Sequence, residues 1–499
     1  MMQGDSRAVP AQSKQHASTA HIGVSSQSCR AVGGHEEATM PNSRSEVSRR
    51  EFLRTTGTLA VAGASAGVLA ACTGPSGPSN AKNGKQLRIL QWSHFVPSYD
   101  TWFDGWAKQW GKDNGITVTV DHIDNSLLPA RTAAEVNAGQ GHDLIEWIVP
   151  PSQLEPSVID VSDIVQQVSG KYGDQVSFAK LSSFNPTTNK YYSFGHTWTP
   201  DPGDYRKSLW EKVGLPNGPT TYDDLLRGGA EIKKSQSVPV GIGMSQEVDS
   251  NMAARGLIWS FGGSIQDAQQ NVVVNSPEVI SAVDYMAKLF KQAETDEIFS
   301  WTAASNNQGL IAGKLNYILN SISAYRSAQG SNPQVANDIF FVKALKGPSG
   351  KGLVAQHVVR SYIIPKFSKN VDIAKKFLLA LADRSHDITY NSKLYDFPSF
   401  KNAPVWQELP GWLDTDPFKS QPANKLALLK DAESWSVNVG HPGPANAAES
   451  EIFTTFVIPN MMADAAHGMA AKDAVAKAEA AIKPIYAKWR KQGLVGGTT

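Results

Sequence analysis

The stretch that decides the fold runs from Leu87 to Val149 and reads LRILQWSHFVPSYDTWFDGWAKQWGKDNGITVTVDHIDNSLLPARTAAEVNAGQGHDLIEWIV. Leu87 to Trp92 is a short apolar run suited to a buried strand, and Ile116 to Ile123 alternates β-branched with polar residues as a strand does. Leu144 to Val149 is a third apolar strand. Between them, Tyr99 to Trp110 carries Trp102, Trp106 and Trp110 at helical spacing, and Leu127 to Ala138 has helical character. The order is β-α-β-α-β. Such alternation gives parallel strands with right-handed crossovers, and open parallel sheets bind ligands beyond the C-terminal ends of their strands. Those ends hold Trp92 to Tyr99 after the first strand and Glu146 to Pro151 after the third. The stripe of Trp102, Trp106 and Trp110 reads as core packing rather than as a ligand surface.

Further along, a Pro/Gly turn at Pro216 to Pro219 leads into Thr220 to Leu225, a Thr-capped helix start with acids in its first turn. Val238 to Met244 reads as a strand. Ser276 caps a helix that has Pro277 at its first position and runs through Phe290. Helical patterns return at Val371 to Ala382 and Lys472 to Lys491. At 499 residues the chain exceeds one ordinary core, so two lobes are expected.

Ahead of this body the composition changes. Met1 to Val47 is rich in Ser, Gln, His and Gly with no apolar periodicity, which predicts disorder; Met40 is a candidate start of translation. Arg49 and Arg50, followed by Phe52 and Leu53, precede the uncharged Ala/Gly/Val stretch Gly57 to Ala71, in the order of a secretory signal. The paired arginines resemble the twin-arginine export signal. Leu69-Ala70-Ala71-Cys72 resembles the lipobox of bacterial lipoproteins, in which the cysteine thiol is acylated and the cysteine becomes the new N-terminus after cleavage. Thr73 to Gly84, with repeated Gly, Pro and Ser, then reads as a flexible tether.

Several chemistries are disfavoured. A formal charge of +1 with 19% charged residues provides no basic excess for nucleic acid. Both cysteines, Cys29 and Cys72, precede the body, so the body has no disulfide or cysteine metal site. His94, His122, His142, His196, His357 and His441 are scattered without metal-ligand spacing. The Gly-x-Ser-x-Gly match, Gly63 to Gly67, falls inside the signal. Gly309 to Lys314 departs from a phosphate loop in its spacing and in the Leu315 that follows. No cofactor and no metal are expected. The rival from another class is a secreted carbohydrate-active hydrolase with paired carboxylates, since the 13 tryptophans suit sugar faces and acids such as Glu146, Asp201 and Asp204 are at hand.

From Asp204 onward the chain resembles family 1 extracellular solute-binding proteins, the group that includes sugar-binding components of ABC importers. Tyr205 to Pro216 resembles the family's stretch ending in a Gly-Leu-Pro turn. Thr220 to Leu225, Phe261-Gly262-Gly263, Asn275 to Leu289, Gly309 to Lys314, and Ile363 to Asn370 followed by Ala374 to Leu378 match further landmarks in order. Arg206 stands where asparagine is usual, and Asn316-Tyr317 replace a small residue and methionine. The resemblance implies a two-lobed periplasmic-binding-protein fold of type II, with a ligand cleft between α/β lobes. Lobe 1 would comprise 85–195 and 357–405, and lobe 2 would comprise 196–356 and 406–499, with crossovers near Tyr192 to Pro200 and Leu353 to Tyr362. It also implies a non-enzymatic, monomeric protein outside the cytoplasmic membrane that delivers a small solute, a carbohydrate or alternatively a glycerophosphodiester, to a membrane permease.

The expected ligand residues are Trp92, His94, Tyr99, Glu146, Trp147, His196, Trp198 and Asp201, joined from the second lobe by Trp259, Asn320, Tyr325 and Trp435. Arg360 is expected at the return crossover and Tyr395 from the loop Leu394 to Pro398. Trp198, between His196 and Pro200, reads as a loop tryptophan with little core to join, and Trp435 reads the same way.

Overall fold

A computed structural model describes residues 85–356 and 358–498. Cys29, Arg49, Arg50, Cys72, the signal, the tether and His357 lie outside the described residues.

The strands, in chain order, are β1 (Lys85–Trp92), β2 (Ile116–Ile123), β3 (Leu144–Trp147), β4 (Phe184–Asn185), β5 (Lys190–Tyr191), β6 (Phe194–Trp198) and β7 (Gly203–Arg206). They continue with β8 (Val240–Gly241), β9 (Tyr317–Leu319), β10 (Ile339–Val342), β11 (Val354–Gln356), β12 (Val359–Ile363), β13 (Phe397–Pro398) and β14 (Ser436–Asn438). Two principal sheets result. The first has six strands in the order β13-β6-β12-β3-β1-β2, and the second has four in the order β10-β7-β9-β8.

In the first sheet β1 pairs parallel with β2 and β3, while β12 inserts antiparallel between β3 and β6. The helix Ser98–Asp113 connects β1 to β2 and the helix Leu128–Ala138 connects β2 to β3. A short 3₁₀ turn at Asn125–Leu127 precedes the latter, and Pro129 falls in its first turn, where a missing N–H costs little. The apolar run of β1 is buried because helices cover the sheet. Trp102, Trp106 and Trp110 are half-buried and pack against the first core, with Trp106 and Trp110 meeting Phe377 at 5.0 and 5.1 Å between ring centres.

In the second body the Thr221 hydroxyl accepts from Asp224 N at 3.0 Å, and the Asp224 carboxylate accepts from Thr221 N, a capping box. Ser276 caps the helix Pro277–Ala293 as its sequence predicts. Only Val240–Gly241 of the expected Val238 to Met244 strand joins the ladder. Pro239 has no N–H to give, and Ile242 N and Met244 N donate instead to Glu294 Oε1 and Ile298 O.

The chain passes from the first sheet to the second between Trp198 and Gly203, and returns after β11, which pairs parallel with β14, into β12. Trp198 therefore ends a strand and is no loop residue. Val359 of β12 and Phe397 of β13 pair with it from either side. Its polar neighbours His196 and Thr197 are buried because β6 is an interior strand.

Candidate ligand site

Three strands of the first sheet, β1, β3 and β6, end at one edge, and each ends on a tryptophan: Trp92, Trp147 and Trp198. The antiparallel strands β12 and β13 begin at that same edge. Arg360, the second residue of β12, is fully buried, as are the two carboxylates it serves. Its NH2 donates to Glu146 Oε1 and its NH1 to Asp396 Oδ2, both at 2.7 Å. His94 Nε2 lies 3.1 Å from Asp396 Oδ2, and His196 Nε2 lies 3.1 Å from Glu146 Oε1. The guanidinium sits over the Tyr99 ring at 4.1 Å and the Trp92 ring at 5.3 Å. His94 stacks between Trp92 and Tyr99, with ring centres 5.0 and 4.6 Å away, and meets the edge of Tyr395.

A buried charge persists only when paired and hydrogen-bonded. Burial alone would raise the Asp396 carboxyl, but the Arg360 guanidinium and His94 outweigh it and hold Asp396 at about 2. Glu146 is lowered for the same reason: desolvation is overcome by Arg360 and the bond with His196. Burial lowers the pKa of His196 although Glu146 opposes the shift. The Tyr395 phenol is raised well above its ordinary value by burial first, then by the carboxylates of Asp201, Asp396 and Asp249. Asp249 belongs to the helix Val248–Ser260 of the second body, so the two bodies face each other here. Arg326 Nε, from the helix Ser323–Ser331, donates to Lys393 O at 2.8 Å beside this edge and makes a fork to Asp416.

Seven of the expected residues thus converge: Trp92, His94, Tyr99, Glu146, His196, Arg360 and Tyr395. Asp201 lies buried in the crossing segment, where it adds to the effect of burial in raising the pKa of Asp204. Asn320 lies across the edge, in a carboxamide cluster with Asn306 and Asn307. The remaining five lie apart. Trp147 points into a small apolar cluster with Leu90, Leu128 and Ile363. Trp198 packs edge-on against Phe178 and Phe397, and its Nε1 donates to Pro398 O at 3.2 Å, so its donor is used by the core. Trp259 meets His441 edge-on, Tyr325 donates to Ser420 Oγ at 2.8 Å, and Trp435 carries Lys343 Nζ 5.5 Å above its ring. Trp435 is the buried last residue of the 3₁₀ helix Ala427–Trp435, not part of the open loop its sequence suggested.

Sequence reasoning missed Asp396, although it named its neighbour Tyr395, and it missed Asp249, Asn306 and Asn307. A cavity of about 480 Å³ lies elsewhere, lined by Val158, Tyr191, Tyr192, Lys366 and Leu494 among others. It opens where Val158 bridges Pro365, beyond the far end of β12. Among the described residues no group of three or more potential metal ligands converges, and no helix is long and apolar enough to cross a membrane.

Two α/β bodies, linked by segments that cross between them and facing each other through polar edges, define a two-lobed binding protein. The family described as bacterial extracellular solute-binding protein matches residues 96–384, more than half of the chain, and the chain belongs to that family. Its members bind solutes and are not enzymes, which sets the hydrolase aside. A binding protein of Brucella abortus (strain 2308) is 22% identical over 325 residues, covering 63% of this chain and 75% of the relative. A "Probable ABC transporter-binding protein" of Deinococcus radiodurans is 23% identical over 257 residues, covering 50% of this chain and 60% of the relative. Among solved structures, maltose-bound MalE3 of T. maritima superposes with a TM-score of 0.67 at 16% identity, over 80% of this chain and 99% of that one. A sugar transporter from Arthrobacter chlorophenolicus A6 with bound laminaribiose gives 0.67 at 15% identity, over 80% and 99%.

Proposed function

We propose that this chain is the solute-binding component of an ABC importer and that it takes an uncharged saccharide or polyol between its two bodies. The observation that carries the choice of ligand is the state of Arg360. This guanidinium is fully buried and its single positive charge faces two carboxylates, Glu146 and Asp396, so the cluster has no net positive charge to offer a phosphate. Asp201 and Asp249 add carboxylates near Tyr395, an electrostatic setting that repels a glycerophosphodiester. The carboxylates and amides along the facing edges suit hydroxyls. A relative whose name reports ABC transport, and structural neighbours bound to maltose or laminaribiose, agree with this reading.

On the same proposal, lobe 1 comprises 85–198 and 357–405 and lobe 2 comprises 199–356 and 406–499, the first boundary lying at the end of β6 instead of at the expected 195, which would cut that strand. Closure is favoured because the closed form makes additional contacts to the solute. The protein is exported through Arg49-Arg50, anchored outside the cytoplasmic membrane by a lipid on Cys72, and acts as a monomer with the membrane permease as its partner. The test is a thermal-shift screen followed by calorimetry with maltose, laminaribiose, ribitol and glycerophosphocholine. A saccharide or polyol is expected to raise the melting temperature, bind at one per chain and be recovered unchanged. A shift with glycerophosphocholine alone, or release of a cleaved sugar, would overturn the proposal.

A further inference from the structure

The second body ends its two parallel strands, β8 and β9, at the edge that faces the first sheet, and a hydrogen-bonded set of amides gathers there. Asn320 follows β9 directly. Its Nδ2 donates to Asn306 Oδ1 at 3.3 Å and to Asn307 Oδ1, which uses both of its N–H groups. Ser321 N fixes the Asn320 carbonyl at 2.6 Å, and Asn307 N fixes that of Asn306 at 2.7 Å. Asn306 Nδ2 donates to Asp249 Oδ2 at 2.8 Å, and Asn307 Nδ2 donates to Ser323 Oγ at 3.2 Å.

The donor count is what makes this a site. A carboxamide has two N–H groups, and the bonds of Asn306 and Asn307 employ one each. Every carbonyl in the relay is engaged, so the amides cannot flip and the two spare N–H groups point in fixed directions. Asn306 and Asn320 are buried while Asp249 and Asn307 retain partial exposure. A core has no use for spare donors on an oriented amide pair, because an unmet buried donor costs free energy.

We propose that Asp249, Asn306, Asn307 and Asn320 form a hydroxyl-binding subsite in the second body, in which the two oriented amides donate to neighbouring oxygens of a saccharide or polyol. The inference rests on the reading of the solute as a carbohydrate. Asp249 orients Asn306 and Asn320 locks Asn306 to Asn307, while the edge of the first sheet lies on the opposite side of the solute. Asn306 and Asn307 contact the solute; Asn320 is a positioning residue.

The experiment is calorimetry of the full mature chain with maltose, laminaribiose and ribitol, alongside the melting temperature of each variant. Asn307→Ala, at a half-buried position, and Asn306→Asp, which places a second carboxylate against Asp249, should each weaken binding about tenfold or more, while Asn307→Ala melts within a few degrees of the parent. Asn306→Ala combined with Asn320→Ala should lose little more than the worse single change, because both act through one relay. With a monodeoxy series of the sugar, one position should lose affinity for the parent and none for Asn307→Ala. Binding by the parent, with affinity unchanged in Asn307→Ala and Asn306→Asp, would overturn the subsite and leave the carbohydrate reading intact. A parent that binds none of the three solutes would overturn both.

Discussion

Replacing Asp396 by asparagine removes the charge that holds the buried cluster together, and the consequence can be worked from its contacts. Asp396 accepts from Arg360 NH1 at 2.7 Å and lies 3.1 Å from His94 Nε2, with no exposed surface. Its carboxyl stands at about 2 in the folded protein against an ordinary 3.8. At about 1.4 kcal/mol per tenfold, that difference corresponds to about 2 kcal/mol of folding free energy. The folded value is depressed, so the contribution is present above pH 3.8 and is lost as the pH falls toward 2. The Asp396→Asn variant would also leave Arg360 with one carboxylate in a dry site, and breaking a buried pair from one side costs about 3–5 kcal/mol. The assay is urea unfolding of both proteins from pH 7 down to pH 2.5, followed by two probes because a two-lobed chain need not unfold in one step. The parent should lose stability more steeply on the acid side, and Asp396→Asn should be weaker at pH 7 with a shallower acid slope. Equal stability and equal slope would refute the reasoning.

Trp198→Ala should cost about 3–5 kcal/mol, the range for a large core residue, because its ring and its N–H are both used by the core; an unchanged melting temperature would remove Trp198 from the core. Burial and the neighbouring Asp249 raise Glu247 to about 8. Its folded value lies above the unfolded one, so its contribution is full below pH 4.5 and lost as the pH rises through 8. Glu247→Gln should therefore gain on the parent between pH 5 and pH 9, as melting curves at the two values would reveal. Cys72→Ser should move the protein from the membrane fraction to the soluble one, and a variant still in the membrane fraction would count against the lipid anchor. Changing Arg49 and Arg50 to lysine should leave precursor in the cytoplasm, which fractionation reads directly.

The first sheet was legible because its signals are local. The runs around Leu87, Ile116 and Leu144 carry their own periodicity, and β2 begins and ends where the alternation does. The site was half legible. Trp92, Tyr99 and Glu146 follow from the rule that parallel strands bind at their C-terminal ends. Asp396 did not, because its partners Arg360 and His94 are brought to it only by the order of the sheet, in which β12 and β1 come alongside β6 and β13 from distant parts of the chain. Trp198 misled for the opposite reason: its neighbours in sequence are polar, but its neighbours in space are Phe178 and Phe397. Asn306 and Asn307 sit in a run of small polar residues that looks like any loop until β9 brings Asn320 against them.

The position of β12 has a consequence for how the chain is made. The strand lies between β3 and β6, yet it is translated long after either of them, with the whole of β7 to β11 in between. A nascent chain halted before Val359 has β3 and β6 ready but nothing to join them. Bare strand edges of this kind template pairing with other chains, and contacts between distant parts of a sequence form slowly. An export route that accepts only finished proteins would keep that gap inside the cytoplasm, where chaperones can guard it, until the missing strand is inserted. On the proposal that Arg49 and Arg50 direct such a route, the order of strands in the sheet supplies a physical reason for it.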